Sequence, residues 1–212
     1  MAKARRDSAG YEDRRRQILR AATRVFAAKG YTGSRVGDIA REAGIAYGLV
    51  YHYFENKEAV LNSIFQENWG LTLKVVADVH AQGGSLRQKL LAISGFLMEA
   101  WRQQPHLVEV VMLEVVRSPK FLEAANLEAF KRIFELLEGV FRHHQTTGEV
   151  RSDVDPKLSA IFFLGQLEIL LTGFVAKEFL ATSEDLLDRC RDAVVDSMLR
   201  GVGPAAAAPG ES

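Results

Sequence analysis

From Tyr11 to Arg200, apolar residues recur at spacings of three and four, and no alternating run of β-branched residues is closed by an Asn-Gly or Asp-Gly turn. A period near 3.6 gathers such residues on one face of a helix and would scatter them over both faces of a strand. The chain is therefore expected to be all-α. Spacing and punctuation predict helices over 11–28, 36–43, 47–53, 57–81, 86–103, 105–117, 119–145, 156–181 and 184–200. The later ones open on a Pro in the first turn or a Ser near the cap. Residues 1–10 carry no apolar periodicity and read as a mobile arm. The Gly, Pro and Ala tail over 201–212 has too little apolar surface to order itself.

The formal net charge is zero, but its distribution is uneven. Residues 1–60 hold 12 Lys+Arg against 7 Asp+Glu, a net of +5, and the remainder holds 15 against 20, a net of −5. A basic head on an acidic body points to a polyanionic partner for the head, because Lys and Arg neutralising phosphates drive most non-specific DNA affinity. Cys190 stands alone, which excludes a disulfide framework and a thiolate metal site, and it reads as a buried helix residue. The N-terminus lacks the apolar core of a secretory signal and no apolar run is read as membrane-spanning, so a cytoplasmic location without membrane association is expected. No phosphate loop, Ser elbow or metal-spaced His pair appears, so neither enzyme chemistry nor a cofactor is expected. His143 and His144 precede a turn and read as exposed cations at a helix end, and His106 reads as a helix cap.

Two short helices separated by Ala43-Gly44-Ile45, with a third restarting at Asn56-Lys57, have the spacing of a helix-turn-helix, whose second helix fits the DNA major groove. Ser34 is placed to cap the first short helix, from which Val36, Ile39 and Ala40 face inward. Gly44 permits the positive φ of the turn. Leu49 or Val50, with Tyr53 and Phe54, must pack back on the first helix, which leaves Tyr47, Gly48, Tyr51 and His52 outward.

Residues 31–58 resemble the DNA-binding signature of the TetR family of transcriptional regulators: Asp38-Ile39-Ala40, Ala43-Gly44, Gly48, Tyr51-His52-Tyr53-Phe54 and Lys57 all fall in register. The resemblance covers about a quarter of the chain, and length and helix count also suit the family. It implies that Ser34 and Arg35 touch backbone phosphates, that Tyr47 and Gly48 approach base edges or nearby phosphates, that Tyr51 and His52 hold the DNA backbone, and that Lys57 contacts a phosphate with the amides at its helix start. Ala46 departs from the frequent Ser cap, Tyr47 from Lys, Arg or Pro, and Leu49 from Thr or Ser. Base readout is then left to Tyr47 and to apolar contact with thymine methyl groups.

The domain organisation expected is a head over 1–56, a ligand-binding and dimerisation body over 57–200, and the tail. Between Leu158 and Leu180 the sequence is apolar nearly all round, more than one core-facing stripe demands. Phe163, Leu167, Leu170, Leu171 and Phe174, with Val194 and Met198 of the last helix, are expected to form a four-helix bundle across a two-fold axis, as the resemblance also implies. Trp69, Phe96, Trp101, Met112, Phe134, Phe162 and Gln166 are expected to line a pocket for an apolar effector. Around Leu113-Glu114, Gly148-Glu149-Val150 and Gln166-Leu167-Glu168 the chain resembles fatty-acid-responsive members that bind acyl-coenzyme A. A planar drug-like effector is equally compatible with the aromatics. Double-stranded operator DNA, a second copy and a small effector are thus the expected partners of a repressor. The competing reading is a helical small-molecule-binding protein or enzyme that never touches DNA, and the unit from Ser34 to Lys57 discriminates against it.

Overall fold

The computed structural model describes residues 2–115, 124–176 and 184–204. They form α1 (Ala2–Gly33), α2 (Val36–Ala43), α3 (Tyr47–Tyr53), α4 (Lys57–Ala81), α5 (Leu86–Gln103), α6 (Pro105–Val110), a π-helical turn (Val111–Val115), α7 (Ala124–Thr146), α8 (Pro156–Val175) and α9 (Glu184–Val202), with no strand among the described residues. Helix therefore occupies the segment expected as an arm from Ala2 onward. Its Ala- and Arg-rich composition favours helix without needing an apolar face. At its other end α1 breaks at Gly30, which has φ 70°. The tail expected from Gly201 is also shortened, because α9 runs to Val202 and buries it. The expected helical stretches at 116–117, 119–123 and 177–181 lie outside the described residues.

The chain divides into two compact units, Met1–Trp69 with Gln104–Glu123, and Gly70–Gln103 with Ala124–Ser212. The first unit extends beyond the boundary expected at residue 56. In it α1 packs on α2, α2 on α3, and α6 on α1. Its core holds Ile18, Ala22, Val25 and Phe26 of α1, Ile39 and Ala40 of α2, Val50 of α3, and Val60, Ile64 and Phe65 of α4, with Val108 and Val110 of α6 also buried. A six-residue helix such as α6 has no stability of its own in water, so its place in this unit is a consequence of burying those two valines.

In the second unit α5 packs on α9, α7 on α8, and α8 on α9. The buried faces meet as period 3.6 requires, with Leu90, Ile93 and Trp101 from α5, Leu137 and Phe141 from α7, and Val195 from α9. Trp101 stacks on Phe174, with ring centroids 5.9 Å apart. Here α8 departs from expectation. Phe163, Leu167, Leu171 and Phe174 are core residues of the chain itself, as are Val194 and Met198, and Leu170 is half-buried. The exposed apolar residues are instead Leu158, Ile161, Phe162 and Ile169. A helix apolar on every side offers no periodic signal for which side faces inward. By length and composition α8 is also apolar enough to cross a membrane, which corrects the reading that no segment reaches that size; the buried residues account for one of its sides.

Buried polar groups close the helix ends of this unit. Lys89 is buried, and its Nζ donates to the carbonyls of His80 (3.0 Å) and Gln82 (2.7 Å) at the end of α4. His144 is buried, not exposed as expected, while His143 does face solvent. Its Nδ1 lies 2.8 Å from Glu149 Oε1, and Glu149 Oε2 accepts from the first N–H of α5, at Leu86. Burial raises the Glu149 pKa, and the bonds from Leu86 and His144 outweigh it, so the carboxyl titrates below its ordinary value. His106 is exposed beside Glu109 and caps nothing, and Cys190 is half-buried.

Replacing Lys89 with Met should strip the end of α4 of its donor and cost about 1–3 kcal/mol, the worth of charged hydrogen bonds of this kind. Urea unfolding followed by circular dichroism measures the loss.

Candidate nucleic-acid interface

The turn between α2 and α3 is closed by Gly44 in the left-handed region, φ 65°, with its N–H bonded to the carbonyl of Arg41, and Ile45 N bonded to that of Ala40. A side chain other than glycine would pay about 1–2 kcal/mol to adopt that φ. Gln17 of α1 closes the same end, its Nε2 donating to the Ala43 carbonyl at 2.6 Å. Ala46 caps α3 in extended geometry without any side-chain bond. The missing Ser or Thr leaves α3 held by packing, through Val50 at 1% exposure and Phe54 at 5%.

With Val50 and Phe54 seated, the other residues of α3 have no choice of direction. Tyr47, Gly48, Tyr51 and His52 are exposed, as expected, and Leu49 is half-buried. Tyr47 and Tyr51 meet edge to face, and their hydroxyl oxygens lie 2.9 Å apart. The bond between the two hydroxyls, then burial, pushes the Tyr51 pKa above its ordinary value. Tyr53 packs on Tyr11 of α1, with centroids 4.6 Å apart.

Two of the expected contacts take other roles. Ser34 is buried, and its Oγ donates to the Tyr31 carbonyl at 2.8 Å. The helix cap is Arg35, whose N–H donates to the Asp38 carboxylate at 3.0 Å. Ser34 therefore neither caps α2 nor presents its hydroxyl to a phosphate. Lys57 is half-buried, and its Nζ donates to the carbonyls of Tyr31 (2.6 Å) and Ser34 (2.8 Å) while standing 4.2 Å from the Tyr31 ring centre. Two of its three protons hold the α1–α2 connection together. Spacing alone could not separate this internal use from a surface contact.

Part of the basic charge is tied down locally. Arg15 pairs with Glu67, Arg16 with Asp13, Arg24 with Glu42, and Lys29 and Arg41 with Asp38. The Lys29 bond, then the Arg35 amide, hold Asp38 below the ordinary carboxyl pKa. The exposed side chains of Arg20 and Arg35 have no ion-pair partner among the described residues. Arg35 stands at the start of α2 in the helix-turn-helix, so its guanidinium is available to a phosphate next to α3.

The residues expected as a pocket are divided between the units: Trp69 and Met112 belong to the first, and Phe96, Trp101, Phe134, Phe162 and Gln166 to the second. Trp101 is buried, Phe96 and Phe134 are half-buried, and Phe162 is 60% exposed on α8. Gln166 reaches Met198 Sδ at 3.1 Å. Beside it, a groove of about 390 Å³ runs between α8 and α9, lined by Leu158, Phe162, Gln166, Met198 and Val202 among others. Phe162 thus belongs to a surface face rather than an enclosed cavity.

The family model described as bacterial regulatory proteins, tetR family, matches residues 18–64, from mid-α1 into α4. The chain is 30% identical over 159 residues to the HTH-type transcriptional repressor KstR2 of Rhodococcus jostii, covering 74% of this chain and 77% of that protein. It is 28% identical over 162 residues to the fatty acid metabolism regulator protein of Bacillus subtilis, covering 76% and 84%. The crystal structure of the regulator FadR from Bacillus subtilis in complex with stearoyl-CoA superposes with a TM-score of 0.76 at 26% identity, covering 88% of this chain and 98% of that one. The exposed face of α3 on a glycine-turned helix pair, and this breadth of likeness to such regulators, make the chain a helix-turn-helix transcriptional regulator of the TetR family.

Proposed function

We propose that the protein is a homodimeric repressor that leaves a palindromic operator when an apolar effector binds its second unit. The outward face of α3 carries this reading. Tyr47, Gly48, Tyr51 and His52 are exposed together because Val50 and Phe54 are buried behind them, and Arg35 stands ready for a neighbouring phosphate. A protein that only bound a small molecule would gain nothing from keeping two tyrosines and a histidine in solvent beside an unpaired arginine. The role is regulatory and not enzymatic.

One short reading helix spans few base pairs, so a second copy is needed for useful specificity. Leu158, Ile161, Phe162 and Ile169 on α8, with the groove against α9, supply an apolar face for it. Full burial of side chains of this size is worth about 1.5–3 kcal/mol each; these four are 41–69% exposed, so each contributes part of that toward the cost of association. This face replaces the one expected from Phe163, Leu167, Leu171 and Phe174, which already form the core.

The likeness to FadR, a protein crystallised with stearoyl-CoA, supports a long-chain acyl thioester as the effector. Helix α4 begins in the first unit and ends in the second, so a ligand that binds better when α4 swings draws the reading helices out of register by population shift.

Three measurements test these statements. Arg35→Ala should weaken duplex binding on all sequences alike and lower the salt slope by about one per head, the signature of one lost phosphate contact. Phe162→Asp should convert the dimer to a folded monomer in analytical ultracentrifugation and abolish tight operator binding. Stearoyl-CoA should displace the protein from operator DNA in a gel shift; occupancy without displacement would sink the proposed coupling for that ligand.

A further inference from the structure

Tyr47 and Tyr51 stand one helical turn apart on the outer face of α3, 56% and 45% exposed. Their hydroxyl oxygens are 2.9 Å apart. The Tyr47 ring is also backed by α2, lying 3.8 Å from the place a Cβ on Gly37 would occupy. Two side chains that would otherwise move separately are thus joined at their tips and supported behind.

Each phenol carries one proton and accepting lone pairs. Whichever tyrosine donates to the other, one proton is consumed inside the pair. What remains outward is one donor, on the accepting tyrosine, beside one acceptor, on the donating tyrosine. A side-chain carboxamide presents the same pattern, and Asn and Gln use it to grip adenine through N6 and N7. Adenine is the base whose major-groove edge sets an acceptor next to a donor. Guanine sets two acceptors there, thymine an acceptor and a methyl group, and cytosine a donor. Against guanine the pair would turn a lone pair toward one of the two acceptors. A phosphate has only acceptors and would leave the acceptor of the pair unused.

We propose that the Tyr47 and Tyr51 hydroxyls act as a single donor–acceptor unit that selects an adenine in each half of the bound site. The inference rests on the reading of the chain as a DNA-binding regulator. Neither hydroxyl suffices alone. Without Tyr47 the Tyr51 hydroxyl keeps a donor but loses its partner and its orientation, and the converse holds for Tyr47.

The test enriches duplexes from a randomised library with the full-length protein, then titrates the enriched duplex with wild type, Y47F, Y51F and the double variant. Both substitutions remove one exposed hydroxyl, and unchanged thermal melting confirms that the head is intact. The expected result is an adenine in each half-site whose replacement by 7-deazaadenine or guanine weakens wild-type binding by about 5- to 150-fold per half-site, the range for a bidentate base contact. Each single variant should lose as much as the double, and none should still distinguish adenine from its replacements. Losses that multiply in the double variant, or that fall equally on every sequence as a phosphate contact would, overturn the inference. So does an enriched site to which the Phe variants bind as tightly as wild type, and in that case the regulator reading stands. A wild-type protein that enriches no duplex overturns both.

Discussion

A helix of seven residues cannot persist by its own hydrogen bonds, since nucleation costs more than two turns return. α3 exists because Val50 and Phe54 are taken into the core of the first unit and because Gly44 lets the chain reverse into that position. Everything exposed on α3 is fixed by what is buried behind it. The direction of Tyr47, Tyr51 and His52 follows from packing, without any side chain having to be steered individually. The same dependence explains why the connection before α2 is so heavily bonded, with Lys57 and Ser34 converging on the Tyr31 carbonyl. A shift there would tilt α2 and carry α3 with it.

The electrostatics of the head are more economical than its composition implies. The net of +5 over residues 1–60 is spread over cations of which Arg15, Arg16, Arg24, Lys29 and Arg41 pair with carboxylates of the same unit. Such exposed pairs contribute little to stability, typically under about 1 kcal/mol each, but they hold the guanidinium groups in place. On the proposed reading, affinity for a polyanion comes from the unpaired cations and from the general field, and α3 distinguishes one sequence from another.

Much of the fold could be read from the chain, since the turn at Gly44 sets the end of α2 and the start of α3, and Asn56-Lys57 sets the start of α4. The outward set on α3 was legible for the same reason: one apolar pair had to face inward. Ser34 and Lys57 were not, because a hydroxyl or an ammonium near a helix start serves a backbone carbonyl as readily as a phosphate. α8 was misjudged in orientation because it is apolar all round; only the packing of α5, α7 and α9 chooses the side of Phe163 and Phe174 over that of Phe162 and Ile169. Lys89 gave no sequence signal, since its partners are main-chain carbonyls, and the burial of His144 against Glu149 depends on the turn that brings the glutamate back five residues later.

The first unit is assembled from two separated stretches of chain, with α6 returning to lie on α1 after α5 has been made. Its topology is that of one body interrupted by a portion of another. A chain that ends before α6 lacks part of the buried core of this unit, Val108 and Val110. Grafting residues 1–56 onto a foreign protein would leave behind both the valines of α6 and Val60, Ile64 and Phe65 of α4, so this head is transferable only with the start of α4 and with α6.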